Sequence, residues 1–281
     1  MKHNLFFVCM RYLFMIALGI LLLFPLVIMF FSSFKANQEI FSSLKILPEK
    51  FLLDGYRDGW KGMGAGSVTF GKYLVNTIVL VIPMVIGTVS SSLIVAYGFS
   101  RFNFPGKRLL FAVMMSFSML PAAVMIVPRY LVFARLGWVD SYNPFWVPSF
   151  FATSSFFIYM FIQFFRGIPF DLDEAAYIDG CGSFGILVRI LIPLCVPAVI
   201  SASIFQFIWG WNDFFNQNIY ISSPLKYTVS LALKMAMDAS TGINWTTVLA
   251  MSVISLIPST LVFLTLQKYF VEGIATSGLK G

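Results

Sequence analysis

Six stretches of the chain stay almost wholly apolar for about twenty residues, near 12–34, 75–100, 109–133, 144–165, 193–215 and 245–267. At about 1.5 Å of rise per helical residue, each can cross ~30 Å of hydrocarbon. The pattern predicts an all-α membrane protein with six transmembrane helices and both termini on one side. The spans contain Pro25, Pro83, Pro121, Pro128, Pro148, Pro197 and Pro258. A bilayer tolerates such prolines where neighbouring helices or cavity water satisfy the carbonyls they free, so kinked helices around a cavity are expected rather than a plain anchor. The first run follows Lys2 and Arg11, is longer than the apolar region of a signal peptide and has no small-x-small cleavage site after it. It is therefore expected to be a retained helix.

Composition strengthens this picture. Hydrophobic residues make up 59% of the chain and charged residues 11%, with a mean hydropathy of +0.86, so a soluble globule would expose most of its apolar side chains. The formal net charge of +7 would suit a nucleic-acid binder, but the Lys and Arg are scattered in short loops between apolar runs. They read as orientation signals, with no nucleic acid among the partners. With the N-terminus inside, nine of the 19 basic residues are inside: Lys2, Arg11, Arg101, Lys107, Arg108, Arg166, Arg189, Lys268 and Lys280. Of the other ten, six (Lys35, Lys45, Lys50, Arg57, Lys61 and Lys72) lie in the one long loop, where the positive-inside rule is weakest. Setting that loop aside leaves nine against four, which places both termini in the cytoplasm.

Few residues carry recognisable chemistry. Cys9, Cys181 and Cys195 are isolated and His3 is the sole histidine, so neither a disulfide framework nor a zinc site can be assembled. In "GSVTFGKY", Gly66, Gly71 and Lys72 match the spacing of a phosphate-binding loop, but Tyr73 stands where Ser or Thr would hold magnesium. No buried strand precedes it, and any ATP used must be bound by another chain. Gln163, Gln206, Asn212 and Asp213 are polar residues at membrane depth and hence candidates for a cavity lining, with Trp209 and Trp211 able to offer flat aromatic faces to a solute. Interfacial anchoring accounts for the tryptophans equally well.

The densest charge lies mid-chain. The segment "DLDEAAYIDGCG" holds Asp171, Asp173, Glu174 and Asp179, four of the twelve acidic residues. Asp171 can cap a helix, with Glu174 reaching back as in a capping box. Leu172 to Asp179 make about two turns, and Gly180 is a natural left-handed stop. Ser183 can cap a second short helix, and Pro193 opens the next span. Ala175 and Ala176 would let this helix approach another surface closely, with acidic flanks giving the contact direction. An ordinary solvated loop with caps explains the same residues, and physics alone does not name a partner.

The run from Glu174 to Pro193 fits the pattern E-A-A-x-x-x-G, nine residues, then I-x-hydrophobic-P, through Glu174, Ala175, Ala176, Gly180, Ile190 and Pro193. In this it resembles the coupling motif of ABC importer permeases. "AYGFSRFNFPGK", "WGWNDFF", "NTIVLV" and the ending "QKYFVEGIATSGLKG" are similar to the smaller, maltose-type permease subunit of carbohydrate importers. Ile192 stands where that family usually has leucine, Cys181 where alanine is common and Gly98 where alanine is frequent. The resemblance implies a type I ABC importer permease architecture and a heterodimer with a second, related permease. It also implies two cytoplasmic ATPase subunits that carry ATP and Mg, an extracytoplasmic solute-binding protein, and no cofactor or enzymatic activity on this chain. On that resemblance Glu174, Ala175, Ala176, Asp179, Gly180, Ile190 and Pro193 couple to the ATPase, while Gln267, Lys268, Gly278 and Gly281 make a second contact from the tail.

The expected organisation is an N-terminal helix at 1–34, an extracytoplasmic segment at 35–71, a permease core at 72–268 with its coupling loop at 166–192, and a tail at 269–281. The location implied is a bacterial or archaeal cytoplasmic membrane. Import of a glycerol-phosphate-type or other non-sugar solute is the nearest alternative. An ion-coupled transporter would want embedded carboxylates, which the spans lack apart from Asp213 near one end. A scaffold without transport leaves the coupling motif and the tail unexplained.

Overall fold

In hydrocarbon each backbone N–H and C=O must find a partner within the protein, and the chain answers with helix. The computed structural model describes residues 5–62, 68–238 and 242–278. In chain order the helices are α1 (Leu5–Ser32), α2 (Glu39–Ser42), α3 (Asp54–Lys61), α4 (Phe70–Arg101), α5 (Lys107–Ser118), α6 (Ala122–Arg135), α7 (Asn143–Ser149) and α8 (Ser155–Arg166). They continue with α9 (Asp171–Ile178), α10 (Ser183–Ile186), α11 (Ile192–Leu194), α12 (Val196–Asn212), α13 (Phe214–Tyr220), α14 (Val229–Met237) and α15 (Trp245–Gly278).

Among the described residues three helices are long and apolar enough to cross a membrane unbroken: Phe7–Ser32, Phe70–Arg101 and Trp245–Tyr269. The other three expected spans are divided. α5 and α6 meet at a 101° bend, where Pro121 opens α6 in an extended conformation and forces the preceding residue out of helix. Ser183–Leu194 and α12 meet at 80°. There Pro193 has no N–H and its ring crowds the carbonyl four residues back, and a π turn at Leu187–Leu191 widens the ladder just before it. The next span thus opens at Val196, after the break at Cys195, and not at Pro193. The segment expected at 144–165 becomes α7 and α8, separated by Ala152 at φ 52°. α8 alone, with 12 residues, spans only about 18 Å.

The chain divides into two units, Met1–Tyr73 with Ala232–Ile257, and Leu74–Leu231 with Pro258–Gly281. In the first, the segment between α1 and α4 is bonded to the start of α15. Thr246 Oγ1 donates to the Lys35 carbonyl at 2.9 Å, and the Trp245 N–H donates to Asn37 Oδ1 at 2.8 Å. Ser33 and Tyr56 share a 2.7 Å hydroxyl contact. Gly55 and Gly59, one turn apart on α3, let that helix lie directly against Thr246 and Met251. A Cβ at Gly55 would stand 2.8 Å from the Thr246 carbonyl oxygen.

The second unit is built around α4. Val89, Leu93, Ala96 and Tyr97 recur at helical spacing on one face and join Phe157, Ile158, Phe161, Ile162 and Phe165 of α8, with Leu191, Ala198 and Ala202, in a continuous apolar core. The N-terminal part of α4 is tied down by polar groups. Asn76 Nδ2 donates to the carbonyls of Leu225 (2.8 Å) and Tyr227 (2.9 Å), and Thr77 Oγ1 accepts from the Val229 N–H at 3.0 Å. Gln217, fully buried, donates to the Gly210 carbonyl and accepts from Thr228. These bonds explain the "NTIVLV" block: its polar residues hold the 225–229 segment and the next residues enter the span.

Asp140, in the connection between α6 and α7, holds the same segment from the other side. It adopts φ 56° and accepts from the N–H groups of Ser222 and Ser223, from Ser223 Oγ at 2.5 Å and from Lys226 Nζ at 2.9 Å. Desolvation pushes its carboxyl up, but the bonds from Ser223, Lys226 and Ser222 together outweigh this and hold it well below the usual carboxylate range. A carboxyl depressed in the folded state contributes stability above its unfolded pKa and loses it as pH falls toward the folded value.

Three outcomes test these assignments in thermal unfolding of the detergent-solubilised protein. Gly55→Ala should destabilise by about 1–3 kcal/mol through overpacking. Gly98→Ala, with open space around its Cβ, should be neutral or stabilising by about 0.5–1 kcal/mol. For Asp140→Ala, the loss of melting temperature relative to the parent should be constant near neutral pH and shrink below about pH 4.

Candidate functional site

Two regions of the second unit carry the residues singled out from sequence. The first is the mid-chain acidic segment. α9 runs Asp171–Ile178, Asp179 follows as the cap, and Gly180 takes φ +80°, the left-handed stop the sequence predicts. The capping box does not form. Asp171 is the first helical residue, the capping position falls to Phe170, and no side chain caps the helix. The three acids of the first turn still favour the helix through its dipole. Ser183 likewise opens α10 without capping it, and its hydroxyl pairs with Tyr177 OH at 2.7 Å instead.

The two alanines part company, because neighbours on a helix point about 100° apart. Ala176 is buried in this chain's own apolar core, whereas Ala175 faces outward beside Glu174, Tyr177 and Ile178, the last 87% exposed. Asp179 and Gly180 are exposed, Ile190 sits half-buried in the π turn, and Pro193 is exposed in α11. The free face of α9 therefore offers Glu174, Ala175, Tyr177 and Ile178, with acidic and apolar groups side by side.

Sequence reading overlooked what holds this helix. Asp173 is buried, and its Oδ2 lies 2.7 Å from Nε of Arg101, the last residue of α4. The same guanidinium donates to the Ile168 carbonyl at 3.0 Å and covers the Phe170 ring at 4.4 Å. Burial pushes the Asp173 carboxyl up, and Arg101 offsets this only in part. The available signal was an alternation: in Asp171-Leu172-Asp173-Glu174 one acid must share the inward face of Ala176, three residues on.

The second region is a polar recess between α4, α12 and α13. A cavity of about 390 Å³ is lined by Gln206, Trp209, Asn212, Asp213 and Asn216 among others. A second, of about 210 Å³, shares Met84, Gln206, Asp213 and Asn216 with it and adds Thr88, Arg129, Ser149 and Tyr220. Four of the six residues expected on a substrate path thus converge. Trp211 does not: it is buried and stacked on Phe207 at 5.5 Å. Gln163 is exposed on α8 and lines neither cavity. Asp213 breaks the span, capping α13 by accepting from the Asn216 N–H at 3.1 Å, while both its oxygens take the Asn216 amide at 3.0 Å. Trp209 packs against Phe156, Phe157 and Phe205 and keeps an exposed edge. The missed lining residue with most consequence is Arg129, a cation within a span, where charge is retained chiefly along pathways.

Of the remaining residues, Gly71 and Lys72 lie in the first turn of α4, and Gly66 is outside the described residues. Gln267 and Lys268 are exposed on α15, which ends at Gly278, and Gly281 is outside the described residues.

The chain is 31% identical over 272 residues to the arabinooligosaccharides transport system permease protein of Bacillus subtilis, with 96% of this chain and 94% of the relative covered. It is 32% identical over 267 residues to the sn-glycerol-3-phosphate transport system permease protein of Pectobacterium atrosepticum, with 94% of each covered. Its fold matches a chain of a bacterial ABC transporter involved in the import of the acidic polysaccharide alginate, with a TM-score of 0.83 and 21% identity over 96% of this chain and 98% of that one. Residues 89–276, which include α9 and the recess apart from its Met84 and Thr88 lining, match the binding-protein-dependent transport system inner membrane component family. The chain belongs to that family, and is a multi-pass permease of a transport system rather than an enzyme.

Proposed function

We propose that this chain is the permease subunit of an ATP-driven importer for a sugar or oligosaccharide. It works by alternating access with a second, related permease, two cytoplasmic ATPase subunits and an extracytoplasmic solute-binding protein. In this reading the six apolar segments cross the membrane with both termini in the cytoplasm, the broken spans facing the cavity. The observation that carries it is α9: an exposed acidic and apolar face on a helix whose opposite side is locked into the transmembrane core. Exposed Tyr177 and Ile178 beside Glu174 give this face an apolar patch with an acidic rim, a composition suited to docking.

ATP would act through this face. Closure of the ATPase dimer displaces α9, and the helices change from inward- to outward-facing. Neither ATP nor solute can shift that equilibrium by more than its difference in affinity for the two states. The recess at Gln206, Trp209, Asn212 and Asp213 supplies donors, acceptors and an aromatic edge, the groups a sugar requires. The tail from Gln267 to Gly281 is a second contact with the ATPase.

Arg129 on the cavity, together with the glycerol-phosphate relative, favours one other reading: a phosphate-bearing solute in place of a neutral sugar. Purified companion binding protein distinguishes them, since its melting temperature should rise with arabino- or malto-oligosaccharide and not with sn-glycerol 3-phosphate.

Uptake of that sugar into vesicles should require internal ATP and the binding protein and should survive an ionophore; accumulation driven by an ion gradient without ATP would refute the reading. Glu174→Lys or Ala175→Asp should leave the chain inserted and ATP hydrolysis running but cut sugar uptake about tenfold or more, within the usual range of coupling energies. Wild-type uptake in both variants, at equal expression, would remove α9 from the mechanism.

A further inference from the structure

α4 ends in two side chains one turn apart, Tyr97 and Arg101, and a helix stacks such residues on one face. They grip the acidic segment on both sides of its bend. Arg101 holds the near side, through the Ile168 carbonyl, the Phe170 ring and the Asp173 carboxylate. Tyr97 holds the far side, donating to the Ser183 carbonyl at 3.1 Å. Between them Ala176 shares the core with Ala96 and Tyr97 themselves. The side chains of Arg101 and Asp173 are only 3% and 7% exposed, and Asp173 Oδ1 has no hydrogen-bond donor among the described residues. Water screening is therefore weak, and nothing else described competes for the carboxylate.

We propose that the Arg101–Asp173 pair is the joint through which displacement of α9 moves α4, so that both are positioning residues for energy coupling. The proposal rests on the reading of α9 as the surface that receives the ATPase. The hydrophobic term is itself non-directional, so apolar packing between the two helices sets their register less sharply than a charged contact does. The guanidinium donates to the Ile168 carbonyl, covers the Phe170 ring and makes a 2.7 Å ion pair with Asp173 in which Nε falls outside hydrogen-bond geometry. This set of contacts fixes register more sharply than apolar packing. α4 then carries the motion directly to the cavity, because Met84 and Thr88 on the same helix line it.

The test uses the complete transporter, with its second permease, ATPases and binding protein, in proteoliposomes. Met84→Cys on α4 reports cavity opening through its labelling rate with a membrane-impermeant maleimide. That rate is read with and without ATP and vanadate, over a parent lacking the introduced cysteine. In the otherwise wild-type protein ATP should change the rate about fivefold or more, and Asp173→Glu should keep that response. Asp173→Asn and Arg101→Gln should each hold it below about twofold while hydrolysis of ATP continues.

A lone charge left buried can prevent folding, so a second variant, Arg101→Met with Asp173→Leu, removes both at once and should fold and assemble. It too should respond less than about twofold. A full response in the apolar pair overturns the proposal, whatever the single variants do, because the ions would then serve folding alone. So does an ATP response absent from the wild-type protein. If Glu174→Lys abolishes the response and the pair variants keep it, the joint is wrong and the reading of α9 stands. If Glu174→Lys also keeps it, that reading fails as well.

Discussion

A peptide group in hydrocarbon has no water to bond, and the rest of this structure depends on that constraint. It makes the chain helical wherever it meets lipid, and a departure from helix needs protein, a second chain or a polar recess to cover it. The departures here are informative for that reason. The bends at Pro121 and after Pro193, the reversal at Ala152 and the cap at Asp213 all lie in the second unit, and the last of them opens onto the cavities. α1, by contrast, is unbroken apart from a tolerated Pro25 and is apolar and exposed around its whole circumference. Its form is that of a helix surrounded by lipid or by another membrane chain.

α4 organises the second unit because three different interactions share it. Asn76 and Thr77 near its start hold the 225–229 segment through backbone groups. Met84 and Thr88 in its middle border the cavity. Tyr97 and Arg101 at its end hold the acidic segment. A helix is stiff along its axis, and these three sites are set by one rigid element. The acidic segment and the polar recess lie on different elements, and α4 is the element that touches both.

Errors in the sequence reading were local, and each has a physical source. A capping box at Asp171 and Glu174 is consistent with residue types alone, but Phe170 takes a helical conformation, which moves the start of the helix by one residue and turns both acids away from the cap. Ala175 and Ala176 look equivalent in sequence, yet the 100° step between them sends one to the surface and the other into the core. Trp209 and Trp211 were treated alike as flat aromatic faces for a solute, and again only one side of α12 faces the recess. The Arg101–Asp173 pair was invisible because its partners are 72 positions apart (173 − 101) and each has an ordinary local explanation, a helix-end cation and a first-turn acid.

The sequence by itself determined the class of the molecule: the lengths of its apolar runs demand membrane helices, and the spacing from Glu174 to Pro193 pointed to the transport-permease family to which the chain belongs. Those properties are written along the chain, in residue type and interval, and need no third dimension. Tertiary structure alone decided which spans are broken, which side of each helix faces the cavity, and what grips α9. These depend on helix rotation and on contacts between distant segments, where a shift of one residue turns a side chain by about 100° and changes its partner entirely.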